Sequence, residues 1–163
     1  MDDILIQRAN AYASRFQLQL AERLGFGIHG IIFAAQGKSE TGKTAVKIHR
    51  ANEPYRREVA VYQRLCEAGV RRILGFHVPT LVRNEDDLLA IEMDIVTRPF
   101  VLDFAGAYLD CPPQFPDEKW DEWEVEKIEQ FENRWPKVKE ILAALEDLDI
   151  FMVDVSPSNI AFE

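Results

Sequence analysis

The chain has 163 residues and a mass of 18.8 kDa, enough for one good core or two small lobes. With 47% hydrophobic and 29% charged residues it has an ordinary globular composition, and no apolar run approaches the roughly 18 residues of a membrane span. A net charge of −9 argues against general nucleic-acid binding. The charge is uneven: residues 1–84 carry 13 basic and 7 acidic side chains, and residues 85–163 carry 6 and 21. A basic first half suits a nucleotide site. The acidic second half suits a basic protein partner, or is simply a solvated acidic helix. The N-terminus, MDDILIQRAN, has acids where a signal peptide needs basic residues. Cys66 and Cys111 form neither a metal motif nor a disulfide framework, so a cytoplasmic, reducing setting is expected.

Residues 2–14 read as a short amphipathic helix with Asp2 and Asp3 at its positive end. Phe16, Leu18 and Leu20 then alternate with glutamines, which is strand periodicity. The run LGFGIHGIIFAA places glycines at 25, 27 and 30 between expected strands 16–24 and 30–36. Glycines allow a tight turn and close approach to a ligand. No helix comes after them, so a dinucleotide fold fails its context test; a plain hairpin turn is the alternative.

GKSETGKT, residues 37–44, fits the P-loop pattern G-x-x-x-x-G-K-[ST], and residues 150–154 fit a Walker-B strand. A P-loop must open a helix whose N-terminus faces phosphates. Thr44 is succeeded by AVKIHR and then by Asn52 and Pro54, which leaves no room for one. As a turn between two strands GKSETGK needs no ligand. Lys47 falls on the second of these strands, among apolar neighbours.

Asn52 as N-cap, Pro54 in the first turn and Gly69 as C′ residue bound a helix over 53–68. Val61, Leu65 and Ala68 share a face, with Glu58 one turn before Val61. Two strands over 77–83 and 88–96 come next, turning at NEDD, and Arg98-Pro99 breaks the segment. Residues 101–110 read as a short helix, and CPPQFPDE as a Pro-rich connection. The acidic helix beyond carries Trp120, Trp123, Ile128, Phe131 and Trp135, aromatics suited to packing. Val138, Ile141, Leu142, Leu145 and Leu148 then recur at helical spacing, a core helix. It feeds IFMVDVSPSNIAF, residues 150–162: strand, tight loop, strand. The loop sets Asp154 and Asn159 at one rim of a core. Such a pair can take a proton and bind a cation beside it, or can simply serve the turn.

The segment D-V-S-P-S-N-I resembles the catalytic loop D-x-x-x-x-N of the protein-kinase-like superfamily. Gly25, Gly27 and Gly30 with Ile32 resemble its phosphate-covering loop G-x-G-x-x-G-x-V, and Thr44-Ala45-Val46-Lys47-Ile48 resembles its V-A-I-K strand. Glycine loop, strand Lys, helix Glu, two strands, core helix and D-x-x-x-x-N run in family order over residues 16–162. The resemblance implies an α+β fold. Residues 1–95 would form a nucleotide-binding lobe with a five-stranded antiparallel sheet and one packed helix, and residues 96–163 a reduced helical lobe. It implies ATP and Mg²⁺ as cofactors. Lys47 would pair the phosphates and Glu58 would hold Lys47, with Glu67 the second choice. Ala45 would lie over the adenine, Ile91 would be gatekeeper, and the backbones of Glu92 and Asp94 would bind the adenine edge. Asp154 would be the base and Asn159 the metal ligand.

The chain departs from the family at three points. Met152 stands where the family has His. Ser156 stands where protein serine/threonine kinases have Lys, which is closer to small-molecule kinases of the aminoglycoside-phosphotransferase type. The family's D-F-G comes after the strand beyond the Asn, whereas this sequence ends at Glu163. Asp103-Phe104-Ala105 precedes the catalytic loop, in the wrong order to replace it. The expectation is therefore a kinase-like ATP-binding protein that is weak or inactive as a phosphotransferase. An active minimal kinase using Asp154 and a P-loop NTPase using residues 37–44 remain as alternatives.

Overall fold

The computed structural model describes residues 2–38 and 42–163. In chain order the elements are α1 (Asp2–Phe16), β1 (Leu18–Phe26), β2 (Gly30–Gly37), β3 (Lys43–His49), α2 (Asn52–Glu67), β4 (Arg72–Ile73), β5 (Phe76–His77), β6 (Leu81–Glu85), β7 (Ala90–Asp94), β8 (Phe100–Val101), β9 (Ala107–Leu109), α3 (Asp117–Phe131), α4 (Trp135–Glu146), β10 (Ile150–Met152) and β11 (Ile160–Ala161). The fold is α+β. Its main sheet has five strands in the order β1-β2-β3-β7-β6, antiparallel throughout. Among the described residues no helix is long and apolar enough to cross a membrane.

Strand periodicity separates the two faces of this sheet. From β3, Val46 and Ile48 face one side, where they pack with Leu5, Ala9 and Tyr12 of α1 and with Ile31, Ala35 and Ala90. Ala45 faces the other side with Ile91 and Met93 and meets Tyr55, Val59, Tyr62 and Leu65 of α2. That second cluster continues without a break into Phe104, Val138, Ile141, Leu145, Ile150 and Ile160. The segments before and after residue 95 thus share one apolar core.

Helix α2 ends as its sequence requires. Gly69 takes φ +67°, Gly69 N–H donates to the Cys66 carbonyl and Val70 N–H to the Leu65 carbonyl, which closes the last turn. Its start differs from expectation. The cap position is the extended Ala51, with no side-chain cap, and Asn52 is already helical and accepts from Arg56 Nε.

The segment after residue 43 is a strand, as expected, and one further expectation is corrected. Thr44 opens no helix; it lies within β3, so the helix N-terminus that a P-loop needs is not there. Ser39, Glu40 and Thr41 of that pattern lie outside the described residues. Nor do residues 101–110 form a helix. Asp103 (φ +67°) and Asp110 (φ +71°) turn the chain into the left-handed region, and β8 and β9 each pair with a strand from the end of the sequence. Val101 pairs with Ile160, and Tyr108 with Phe151. The tryptophans pack as their spacing suggests: Trp123 stands edge-on to Trp135, 5.7 Å between ring centres, joining α3 to α4.

Candidate functional site

A cleft of about 680 Å³ opens between the α2 face of the sheet, the β1–β2 turn and the loops around residues 103 and 154–159. At its base lies Lys47, on central strand β3, with its side chain only 4% exposed. An ammonium this deep must be paired. Its Nζ lies 2.7 Å from Glu58 Oε2 on α2 and 2.8 Å from Asp103 Oδ1. Glu58 is itself fully buried and collects further donors: His49 Nε2 at 2.6 Å, and the Phe104 N–H, which donates to Oε1 at 3.3 Å. Burial alone would lower the Lys47 pKa, but the charges of Glu58 and Asp103 outweigh it and raise it. Burial alone would raise the Glu58 pKa, but Lys47 and His49 outweigh it and bring it to about 2. Both groups are therefore held charged.

Sequence order had set Asp103 aside, and the fold brings it in. It follows β8, which lies beside β11, the strand leaving the 154–159 loop. Its left-handed backbone is one that Asp tolerates better than most residues. Its side chain is 32% exposed, open to the cleft beyond Lys47. Its place in the sequence, about fifty residues ahead of Asp154, gave no sign of this contact. His49 was also missed. It lies two residues after Lys47 on the same strand, with Nδ1 against the Leu89 carbonyl.

Asp154 and Asn159 both line the cleft. Asn159 holds their loop together: its Oδ1 accepts from Ser156 N–H at 2.7 Å, and its Nδ2 donates to the Asp154 carbonyl at 2.7 Å. Trp123 supports the loop from behind, its Nε1 donating to the Val153 carbonyl at 2.9 Å. The Asp154 side chain stays 52% exposed. It rests on Gly106, where an added Cβ would lie only 2.9 Å from the Asp154 Cβ.

Gly25, Gly27 and Gly30 all line the cleft, for different local reasons. Gly25 pairs with Ile32 across the hairpin, and Gly27 has open space where a Cβ would stand. At Gly30 a Cβ would meet the Ile48 carbonyl oxygen at 1.9 Å, so the β2–β3 approach itself requires glycine. Ala45 lines the cleft opposite Met93.

Two of the expected hinge residues, Ile91 and Glu92, do not line the cleft. Ile91 is buried in the core, and Met93, two residues on, lines the cleft. Glu92 points to the opposite face, as period 2 demands, and accepts from Tyr12 Oη and Thr44 Oγ1, each at 2.8 Å, with Arg83 Nε at 2.9 Å. It does not line the cleft, and its residue is paired on both sides within the sheet. Asp94 does line the cleft; its N–H donates to the Thr80 carbonyl at 3.1 Å. Glu67 is exposed at the end of α2 and takes no part. Lys43, the P-loop lysine, is exposed and 3.4 Å from Glu22.

Among the described residues no group of three or more His, Cys, Asp or Glu side chains is arranged to hold a metal by itself. Asp103 is a carboxylate open to the cleft. Asn159 Oδ1 also accepts from Ser156 Oγ at 3.3 Å, so a cation there would compete with both serine bonds. One or two protein oxygens completed by phosphate and water suit Mg²⁺, which keeps much of its hydration. Compared with protein-family models and with curated proteins, the chain matches none.

Proposed function

We propose that this cleft binds a nucleoside triphosphate, ATP, and that the chain is a kinase-like nucleotide-binding protein. The observation that carries this is Lys47, a charged lysine fixed in a central strand by carboxylates from two other segments at the base of the cleft. A lysine so held is a preorganised point charge for a polyphosphate. Ala45 and Met93 give the cleft an apolar floor, and Gly27 leaves the covering turn unobstructed. Asp103, with Asn159 if it yields its serine bonds, would hold Mg²⁺, which would neutralise phosphate charge. Calorimetric titration of ATP with and without Mg²⁺ tests the reading. Binding should weaken in Lys47→Met and persist in Lys43→Ala. If the wild type binds no ATP at millimolar concentration, or if Lys43→Ala abolishes binding as Lys47→Met does, the reading is wrong.

One observation favours phosphoryl transfer over binding alone. Asp103 shares the cleft with Asp154, so a carboxylate that could hold a metal lies in the same cleft as a candidate base. Asp154, exposed and held at the rim, is placed to orient an acceptor hydroxyl and take its proton. General-base effects are worth roughly 10²–10⁴-fold, so Asp154→Asn should lose most transfer while keeping ATP affinity. Equal background rates in wild type and variant eliminate transfer and leave binding.

A further inference from the structure

The β1–β2 turn reaches across the cleft. His29 Nε2 lies 3.6 Å from Asp154 Oδ2. Its neighbour Ile28 is 80% exposed, while the His29 side chain is 21% exposed and turned inward. The turn is fastened at its base: Gly27 N–H donates to the Gly30 carbonyl at 3.0 Å, and Arg50 N–H to the His29 carbonyl at 2.9 Å. On the far side Gly106 fixes where Asp154 can stand. A side chain on a turn and a carboxylate on a remote loop are thus held face to face over the cleft.

Charge accounting gives this contact a meaning. The cleft lining contains four acids, Glu58, Asp94, Asp103 and Asp154, and two basic side chains, Lys47 and His29. Lys47 is already engaged by Glu58 and Asp103. A triphosphate entering such a site needs another donor near its outer end. Charged or neutral, an imidazole N–H can donate to a phosphate oxygen.

Resting on the nucleotide-binding reading, we propose that His29 is a ligand for the terminal phosphate, held in reserve by Asp154. In the nucleotide-free protein it latches the turn onto the carboxylate. A bound triphosphate draws it onto the terminal phosphate, which releases Asp154 for an acceptor. His29 is then a nucleotide-length sensor that responds to the third phosphate.

Two measurements test this. The first needs no nucleotide: amide hydrogen exchange over residues 26–30 in wild type, His29→Gln and Asp154→Ala. Both variants should exchange faster by about two- to fivefold, the range of one partly exposed polar contact. Unchanged exchange in both overturns the latch. The second is Mg²⁺-dependent binding of ADP and of the β,γ-imido analogue of ATP. His29→Gln should weaken the analogue by about fivefold or more and leave ADP unchanged, as expected for losing one phosphate contact. Equal effects on both nucleotides, or on neither, overturn the sensor while the nucleotide-binding reading stands. If the wild type binds neither nucleotide, both readings fall together, and the exchange result still decides the latch.

Discussion

Replacing Glu58 with Gln keeps the side chain's shape and removes the one charge on which Lys47, His49 and the Phe104 amide converge. The amide oxygen of Gln could still accept from Lys47 and His49. Its NH₂ would then face the Phe104 N–H, donor against donor; flipping the amide moves the conflict to the other two partners. Hydrogen bonds to charged groups contribute about 1.5–3 kcal/mol each, and breaking a buried pair costs about 3–5 kcal/mol. Asp103 still compensates Lys47, which favours the low end. The ionisation of Glu58 gives a second route. Its pKa falls from 4.5 to about 2 on folding, which corresponds to about 3 kcal/mol of stability at neutral pH. The sign comes from the depression: the contribution is complete well above pH 4.5 and is lost as pH falls toward 2. Urea unfolding at neutral pH should therefore place Glu58→Gln about 3 kcal/mol below wild type with an unchanged slope, or about 10 °C lower in Tm. At about pH 3 the gap should shrink to half or less. A gap under about 1 kcal/mol at neutral pH, or one equal at both pH values, would refute the claim that this carboxylate anchors the cleft.

The glycines of the β1–β2 turn should separate in the same assay. Gly30→Ala must push β2 away from the Ile48 carbonyl and should cost about 3 kcal/mol, while Gly27→Ala, with open space around it, should stay within about 0.5 kcal/mol. Tyr12→Phe removes the hydroxyl that donates to Glu92 at 2.8 Å and should cost about 1–2 kcal/mol, measured by urea unfolding; a neutral result would mean that this bond does not secure α1 to the sheet. Gly106→Ala should displace Asp154, so its backbone chemical shifts should change around both residues 104–107 and 154–159; changes confined to the first segment would contradict the contact.

Local chemistry in the sequence determined much of this protein. Strand alternation located most of the sheet, Gly69 ended α2, and the spacing of Val138, Ile141, Leu142 and Leu145 marked a buried helix. Lys47 and Glu58 were legible as a pair through the resemblance to kinase-like proteins, and the structure sets them 2.7 Å apart. The packing of α1 against the back of the sheet, the neighbours of Glu92 and the buried His49 were decided by tertiary structure, since periodicity says that a residue is buried but not against what. The same holds more sharply for the cleft. Strands β8 and β11 are two residues long, too short to show any period, and they pair across about sixty residues of chain. That pairing delivers Asp103 to Lys47, and the β9–β10 pairing of Ala107 with Met152 sets Gly106 under Asp154. Order along the chain set Asp103 apart because sequence distance does not say which strands lie side by side. Hydrogen bonding between strands depends only on their being side by side, and the same neighbours can be reached by another path.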